Sequence, residues 1–304
     1  MTGEFETIER LRRLLPGPPA GETWIGDDAA VVVAPIGAML LAADVVVAGV
    51  HADLSFCGLD DLGWKALSVN VSDIAAMGGT PTHALVAVAG PPDTDLEALY
   101  RGIAEAVDFY GCPVVGGDLS TADQLVVSIT VLGDAGSRPP VLRAGALPGD
   151  TIFVTGPLGS SAAGLAALQA GRADDVPELA RAHRRPVARV KEGCCARRAG
   201  ATAMVDISDG LAADLRHLAD ASGVGLAIDH VPTADGATVQ QALGGGEDYE
   251  LAFTATNPGH VAASFAEAGL RQPIPIGRCT SDPTERAFGE GDLPHAGWQH
   301  EWAL

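Results

Sequence analysis

Apolar residues occur in runs of two lengths along the chain, and these runs predict alternating strands and helices. Short runs rich in valine and leucine, at 29–33 and 38–47, have the length and composition of strands. The run at 62–79 is long enough for a buried helix. Further patterns alternate between strand and helix at 83–89, 96–110, 113–115 and 124–132. The order β-β-α-β-α-β-β predicts a first α/β domain.

A second α/β pattern begins after a loop near 144–149. It opens with a strand at 151–155 and a helix that Ser160 or Ser161 would cap. More strands are predicted at 202–207, 226–229, 251–255 and 274–277, and helices at 208–221 and 260–268. We therefore predict an α/β (α+β) protein with two domains, 1–146 and 147–304.

The predicted helix at 62–79 contains an unusual carboxylate. Asp73 and Asn70 are three residues apart, so they share a helix face in a segment that is otherwise mostly apolar. A buried carboxylate without a partner costs on the order of 3–5 kcal/mol, so a cation is expected opposite Asp73. Lys65 is the basic residue nearest to it in this segment.

Other aspartates stand where apolar segments end or are interrupted, as residues at strand ends and helix starts do. If they converge with Asp73, the cation is a metal ion, and a ligand set of oxygens alone favours Mg²⁺ or Mn²⁺. The alternative is that each aspartate caps a helix or forms a turn. The aspartates at the ends or interruptions of apolar segments are Asp27, Asp28, Asp44, Asp118, Asp206 and Asp209.

Charge and composition limit the partners and the compartment. The chain carries 39 acidic and 19 basic residues, a formal net charge of −20, which argues against nucleic acid and anionic membranes as partners. Phosphates would have to be bound through metal ions and backbone amides, such as those of the GGD and SDG turns. Five cysteines without a C-x-x-C pair indicate reduced thiols and a cytoplasmic protein. Neither an export signal nor a membrane span is expected.

Basic residues concentrate at 181–198, and this segment allows two interpretations. It is either a solvated helix or a surface on which His183, Arg185 or Arg189 faces a phosphate or a dimer partner. The sequence lacks the P-loop, G-x-G-x-x-G, H-E-x-x-H and G-x-S-x-G motifs. The common nucleotide-binding and hydrolase scaffolds are therefore excluded.

Motifs along nearly the whole chain resemble the thiamine-monophosphate kinase family of the aminoimidazole ribonucleotide synthetase-like superfamily. They include IGDDAAVV, GWKALSVNVSDIAAMG, VVGGD, VTGPLGSSAAGL, VDISDGLAADL and GGGEDYEL. The resemblance implies ATP-dependent phosphorylation of thiamine monophosphate to thiamine diphosphate with several bound Mg²⁺ ions. It also implies a homodimer in which the N-terminal mixed sheets form a β-barrel, with a C-terminal α/β domain in each subunit.

The resemblance also assigns roles to residues. No catalytic side chain is implied, because an acceptor phosphate with a second pKa of about 6 is already mostly dianionic at neutral pH. The implied metal ligands are Asp28, Asp44, Asp73, Asp118, Asp206 and Asp209, with Asp27 the less favoured of the pair Asp27 and Asp28. The implied ATP contacts are Gly117, Asp118, Arg143 and Ser208. The implied substrate contacts are His51, Glu247 and Trp298.

Three alanines depart from the family pattern. Ala42 and Ala43 stand where the family has Ser-Thr, whose hydroxyls contribute to metal binding, and Ala52 stands where an aromatic residue is usual. Two alternatives therefore stay open. One is a kinase that phosphorylates another small phosphorylated or carboxylated metabolite. The other is a protein that binds nucleotide or thiamine phosphate without catalysis.

Overall fold

The computed structural model describes residues 4–26 and 29–298. Its contacts divide the chain into two compact units, Met1–Ile74 with Gly79–Pro139, and Ala75–Gly78 with Pro140–Leu304. The domain boundary proposed between residues 146 and 147 stays a prediction. None of the described helices is long and apolar enough to cross a membrane.

The first unit is built around a four-stranded mixed sheet. The sheet order is β1-β4-β2-β3, in which β3 runs parallel to β2 and the other neighbours are antiparallel. The strand predicted at 29–33 is wrong, because Val31 forms an isolated bridge with Thr23 and the described residues there form no ladder. The elements are α1 Glu4–Arg12, β1 Met39–Val47, α2 Leu59–Ala76, β2 Thr80–Gly90, α3 Leu96–Tyr110, β3 Val114–Thr121 and β4 Val126–Asp134.

The two faces of this sheet differ in burial. One face carries buried residues such as Leu40 and Ile129 and packs against α2, whose Ile74 contacts the backbone at Gly133 of β4. The other face, which we call the open face, exposes 65% of Leu41 and 46% of Val45. Successive strand residues point to opposite faces, so the alternation in β1 produces one covered and one apolar open side.

The second unit contains a seven-stranded sheet with the order β11-β10-β7-β9-β5-β8-β6. The segment predicted as one solvated helix at 181–198 is divided between two helices, α5 and α6. The elements are β5 Thr151–Val154, α4 Ser160–Gln169, α5 Pro177–Arg184, α6 Val190–Arg198, β6 Ala201–Asp206, α7 Leu211–Ser222, β7 Gly225–Ile228, α8 Val239–Gly244, β8 Leu251–Ala255, α9 Pro258–Glu267, β9 Ile274–Thr280, β10 Arg286–Phe288 and β11 Gly291–Asp292.

Apolar clusters cover both faces of the second sheet. On one face, Ile152 and Val154 of β5 pack with Leu215 of α7. On the other, Phe153 stacks on Phe253, with ring centroids 5.1 Å apart. The alternation along β5 thus buries both faces, which holds α7 on one side of the sheet and positions the turn before that helix.

Candidate functional site

Asn70 links Asp44 to the helix face that carries Asp73. β1 is an edge strand, and the backbone N–H of Asp44 donates to Asn70 Oδ1 at 2.7 Å. Asn70 is fully buried and its amide nitrogen donates to Ala66 O at 2.9 Å. Asp73 follows three residues later on α2. Asp73 is half-buried, so its predicted burial is wrong; the buried positions at this point of α2 are those of its neighbours, such as Ile74.

Lys65 fixes the turn that follows β1. Its side chain is fully buried, and Nζ donates to the His51 carbonyl oxygen at 3.2 Å. His51 Nδ1 accepts the backbone N–H of Val47 at 3.0 Å, so in the neutral ring the proton lies on Nε2. The imidazole of His51 is therefore held by its own turn, with the ring half-buried.

Gly117 and Asp118 lie within β3 and not after a strand. A Cβ at Gly117 would overlap the carbonyl oxygen of Val86, so this position requires glycine. The register aligns Asp44, Ile129, Val86 and Gly117 across the four strands, and Asp118 points to the opposite face. Asp44 and Asp118 therefore occupy opposite edges of the sheet, about 14 Å apart. The predicted carboxylates cannot all surround one ion within one chain.

The second unit presents its aspartates on the turn between β6 and α7. Asp206 ends β6 and is 4% exposed, and Ser208 and Asp209 are half-buried. Asp214, which is not among the predicted site residues, accepts the backbone N–H groups of Asp209 and Gly210 at 3.2 and 3.1 Å. These two amides are engaged by a carboxylate, so the expectation that they bind phosphate is wrong. An acidic residue in the first turn of α7 was the available signal.

Negative charge accumulates at this turn. Burial, and then the charges of Asp206 and Asp209, raise the pKa of Asp214 to about 8, although two backbone N–H groups lower it. A hard cation would relieve the repulsion among these carboxylates. Their oxygen atoms are the ligands that Mg²⁺ prefers, so the side chains at this turn fit Mg²⁺. Within residues 4–26 and 29–298, however, no three His, Cys, Asp or Glu side chains form a group that could hold a metal ion. Asp27 and Asp28 lie outside the described residues.

Both acceptor-side candidates of the second unit are attached to this turn. Glu247 donates its backbone N–H to Ser208 O at 2.8 Å, and Trp298 donates its own to Asp209 O at 3.0 Å. Trp298 is 56% exposed, so its ring is accessible. The structure thus brings together Asp206, Ser208, Asp209, Glu247 and Trp298 around one turn.

Arg143 is placed at the far end of α7. Its carbonyl oxygen accepts the Ser222 hydroxyl at 3.1 Å, and that hydroxyl also accepts the N–H of Gly145 at 3.1 Å. Ser222 ends the 12-residue helix α7, which is about 18 Å long, so the backbone at Arg143 is distant from Ser208. The structure does not bring these two predicted ATP contacts together within one chain.

Asp248 performs the capping role that was predicted for Ser160 or Ser161. The N-cap of α4 is Gly159, which has no side chain, and Asp248 accepts the N–H groups of Gly159 and Ser161 at 2.6 and 3.1 Å. The serine prediction is therefore wrong, because a carboxylate distant in sequence reaches the helix N-terminus. Burial raises the pKa of Asp248 to about 6.

Arg189 stabilises a buried carboxylate. Its Nη2 donates to Glu250 Oε1 at 2.7 Å, and Arg271 donates to the same oxygen at 3.0 Å. The Thr155 hydroxyl donates to Glu250 Oε2 at 2.5 Å. Glu250 is 4% exposed, so this charge has the partners that a buried carboxylate needs. Arg189 therefore pairs with a buried carboxylate of its own unit. It is neither part of a solvated helix nor an open phosphate site, as the basic segment suggested.

Known proteins are similar to this chain over nearly its whole length. AIR synthase related protein domains match at 26–135 (N-terminal domain) and 148–289 (C-terminal domain). A thiamine-monophosphate kinase of Mycobacterium tuberculosis (strain ATCC 25618 / H37Rv) is 38% identical over 98% of this chain and 91% of its own length. The chain belongs to the thiamine-monophosphate kinase family. The resemblance inferred from the motifs and the two-domain mixed α/β fold class are therefore confirmed.

Solved structures of this family have the same fold. The thiamine-monophosphate kinase from Stenotrophomonas maltophilia K279a superposes with a TM-score of 0.82 at 32% identity, covering 96% of this chain and 98% of that one. AaThiL complexed with AMPPCP and TMP superposes with a TM-score of 0.76 at 34% identity, covering 98% of this chain and 97% of that one.

Proposed function

We propose that the protein phosphorylates thiamine monophosphate to thiamine diphosphate at the expense of ATP. The observation that carries this proposal is the attachment of Glu247 and Trp298, the acceptor-side candidates, to the Ser208–Asp209 turn. A relative of 34% identity is described in complex with AMPPCP and TMP, which supports the same pair of ligands here.

The mechanism needs positioning and charge neutralisation more than a general base. The acceptor phosphate is already mostly dianionic at neutral pH, so no side chain has to remove its proton. We infer that Asp44 and Asp73 are Mg²⁺ ligands in the first unit, with Asp28 and Asp118 as further ligands there, and that Asp206 and Asp209 are Mg²⁺ ligands in the second unit. Mg²⁺ bound there would offset the repulsion between the acceptor phosphate and the ATP phosphates. Ser208, Gly117, Asp118 and Arg143 are the proposed ATP contacts.

The organic part of the acceptor suits the remaining candidates. The thiazolium ring is a cation, and an exposed indole such as Trp298 can stack on it. The half-buried carboxylate of Glu247 can accept hydrogen bonds from the aminopyrimidine amine. His51 is the third proposed substrate contact.

The open face of the first unit supports a homodimer. Leu41, Val45 and Leu85 expose 65%, 46% and 39% of their surfaces on one side of the sheet. A second copy that covers this face would form the two-subunit β-barrel and bury these residues. Light scattering at micromolar concentration should give the dimer mass, and Val45→Asp should shift it toward the monomer. A monomeric wild type would contradict the dimer.

We further propose a cytoplasmic location, with no nucleic acid or membrane as partner.

One observation favours a second function. Ala52, where the family has an aromatic residue, is 3% exposed, and its carbonyl oxygen accepts the Gly49 N–H at 2.7 Å. The turn beside His51 is therefore closed without an aromatic ring, which would suit a kinase that accepts a different small phosphorylated metabolite.

ADP release measured with different acceptors separates these functions. The proposal predicts ADP release that depends on thiamine monophosphate and is absent with thiamine or with an unrelated phosphomonoester. Glu247→Gln should reduce turnover, whereas Glu290→Gln, at an exposed surface carboxylate, should not. ADP release with another phosphomonoester alone favours the second function, and binding of both ligands without ADP release favours a non-catalytic protein.

A further inference from the structure

His183 is a buried histidine in contact with the proposed acceptor residue Glu247. His183 lies on α5 and is 4% exposed, so it does not face solvent as the basic segment around it suggested. Its Nδ1 is 3.4 Å from Glu247 Oε2 and 3.0 Å from the Ser161 hydroxyl oxygen. Ser161 is 1% exposed.

These three groups interact favourably when the ring proton lies on His183 Nδ1. An ionised carboxylate only accepts hydrogen bonds, so we assign this proton to the nitrogen that faces Glu247. The Ser161 hydroxyl then accepts from the same N–H, and its own proton is directed away from Nδ1. A serine nucleophile would need the opposite arrangement, with the ring nitrogen accepting its proton, and Ser161 is too buried to reach a substrate. The cluster is therefore not a hydrolytic triad.

The backbone around Glu247 is fixed on both sides. Glu247 has a φ of 65°, in the left-handed region that residues other than glycine rarely adopt. Its backbone N–H donates a hydrogen bond to the carbonyl oxygen of Ser208. The next residue, Asp248, is bonded to the N-terminus of α4. The remaining freedom of Glu247 lies in its side-chain torsions, which are costly to order without a partner.

We propose that His183 is a positioning residue that directs the Glu247 carboxylate toward the acceptor. This inference rests on the proposed function and deepens it, because it names the group that sets acceptor recognition. One carboxylate oxygen of Glu247 is held by the imidazole, and the other is directed to the amine of the aminopyrimidine. His183 itself touches no reacting atom.

Two isosteric substitutions test this role. The side-chain amide of asparagine can occupy the place of Nδ1, whereas that of glutamine occupies the place of Nε2. His183→Asn should therefore retain most of the acceptor affinity, and His183→Gln should raise the KM for thiamine monophosphate about tenfold. The KM for ATP should change less than about twofold in both, because the ATP contacts are made by other residues. His260→Ala, at an exposed histidine of α9, is the control.

Stability and binding measurements complete the test. Thermal melts of both variants identify any folding defect, and calorimetry measures thiamine monophosphate affinity without turnover. A similar rise in KM for both variants, or an equal rise in the KM for ATP, overturns the positioning role. An active wild type whose His183→Gln variant binds thiamine monophosphate normally also contradicts it, and leaves the proposed function intact. A wild type without thiamine monophosphate turnover contradicts the proposed function first.

Discussion

The backbone N–H of Glu247 donates to the carbonyl oxygen of Ser208 at 2.8 Å, which joins the GGGEDYE loop to the turn before α7. Gly246 stands at the point of closest approach, and a Cβ on it would lie 2.5 Å from that same Ser208 oxygen. Glu247, the proposed acceptor contact, and the aspartate turn are therefore held together by the backbone. Displacement of the loop should affect acceptor binding and metal-dependent transfer together.

Gly246→Ala should separate the loop from the turn. The added methyl group cannot be accommodated without a backbone shift, which should cost about 1–3 kcal/mol of unfolding free energy and lower kcat/KM for thiamine monophosphate. Urea unfolding and steady-state kinetics measure the two effects. Gly259→Ala, in α9 where the nearest atom is 3.5 Å away, is the matched control and should lower neither the unfolding free energy nor kcat/KM. Normal kinetics in Gly246→Ala would show that the loop is not coupled to the turn.

Asp73→Asn should abolish phosphoryl transfer and leave the fold intact. Asp73 is half-buried, and asparagine keeps its size and one side-chain oxygen, so the unfolding free energy should change by less than about 1 kcal/mol. Activity at saturating Mg²⁺ and urea unfolding provide the measurements. Asp108→Asn, at an exposed carboxylate on α3, serves as the control. Near-normal activity of Asp73→Asn would falsify the metal role.

Local patterns in the sequence predicted much of the fold. The helix at 96–110 and the strand at 251–255 agree with the structure at both ends, because each combines an apolar period with clear boundary residues. The valine-rich run at 29–33 failed because apolar composition alone does not supply a strand partner. The short elements α8, β10 and β11 were missed, since they contain too few residues to show a period.

The candidate site was only partly predictable. The aspartates and glycines stood out in the sequence, but Asp214 and Asp248 act through backbone N–H groups that only the folded chain brings to them. The separation of Asp44 and Asp118 depends on the strand order β1-β4-β2-β3, which periodicity does not contain. His183 was noticed in a basic segment, whereas its contact with Glu247 joins residues that are distant in sequence.

Restoring the missing hydroxyls should strengthen metal binding. The double variant Ala42→Ser with Ala43→Thr should lower the Mg²⁺ concentration for half-maximal activity. Ala42 and Ala43 point to opposite faces, and Ala42 shares the face of Asp44, so Ala42→Ser alone should reproduce the effect at that aspartate. Mg²⁺ titration of the single and double variants measures this. An unchanged Mg²⁺ requirement in all variants contradicts a ligand role, and newly gained turnover of thiamine monophosphate favours the second function.

The stability contributed by Asp248 should depend on pH. Its folded-state pKa is raised from 3.8 to about 6 by burial, so the folded protein binds this proton more tightly than the unfolded chain. Stability should fall as pH rises from about 4 to about 6, by at most about 3 kcal/mol from this residue. Asp248→Asn removes the titration, so its unfolding free energy relative to wild type should increase over that range. Urea unfolding across the range measures the slope, and a pH-independent difference contradicts the raised pKa.

The most direct test follows the γ-phosphate of ATP. Purified protein is incubated with Mg²⁺, thiamine monophosphate and ATP labelled in its γ-phosphate, and the products are separated and counted. The label should appear in thiamine diphosphate, with one ADP formed for each thiamine diphosphate, and none should be transferred when thiamine monophosphate is omitted. Release of the label as inorganic phosphate, or its transfer only to a different acceptor, would contradict the proposed kinase activity.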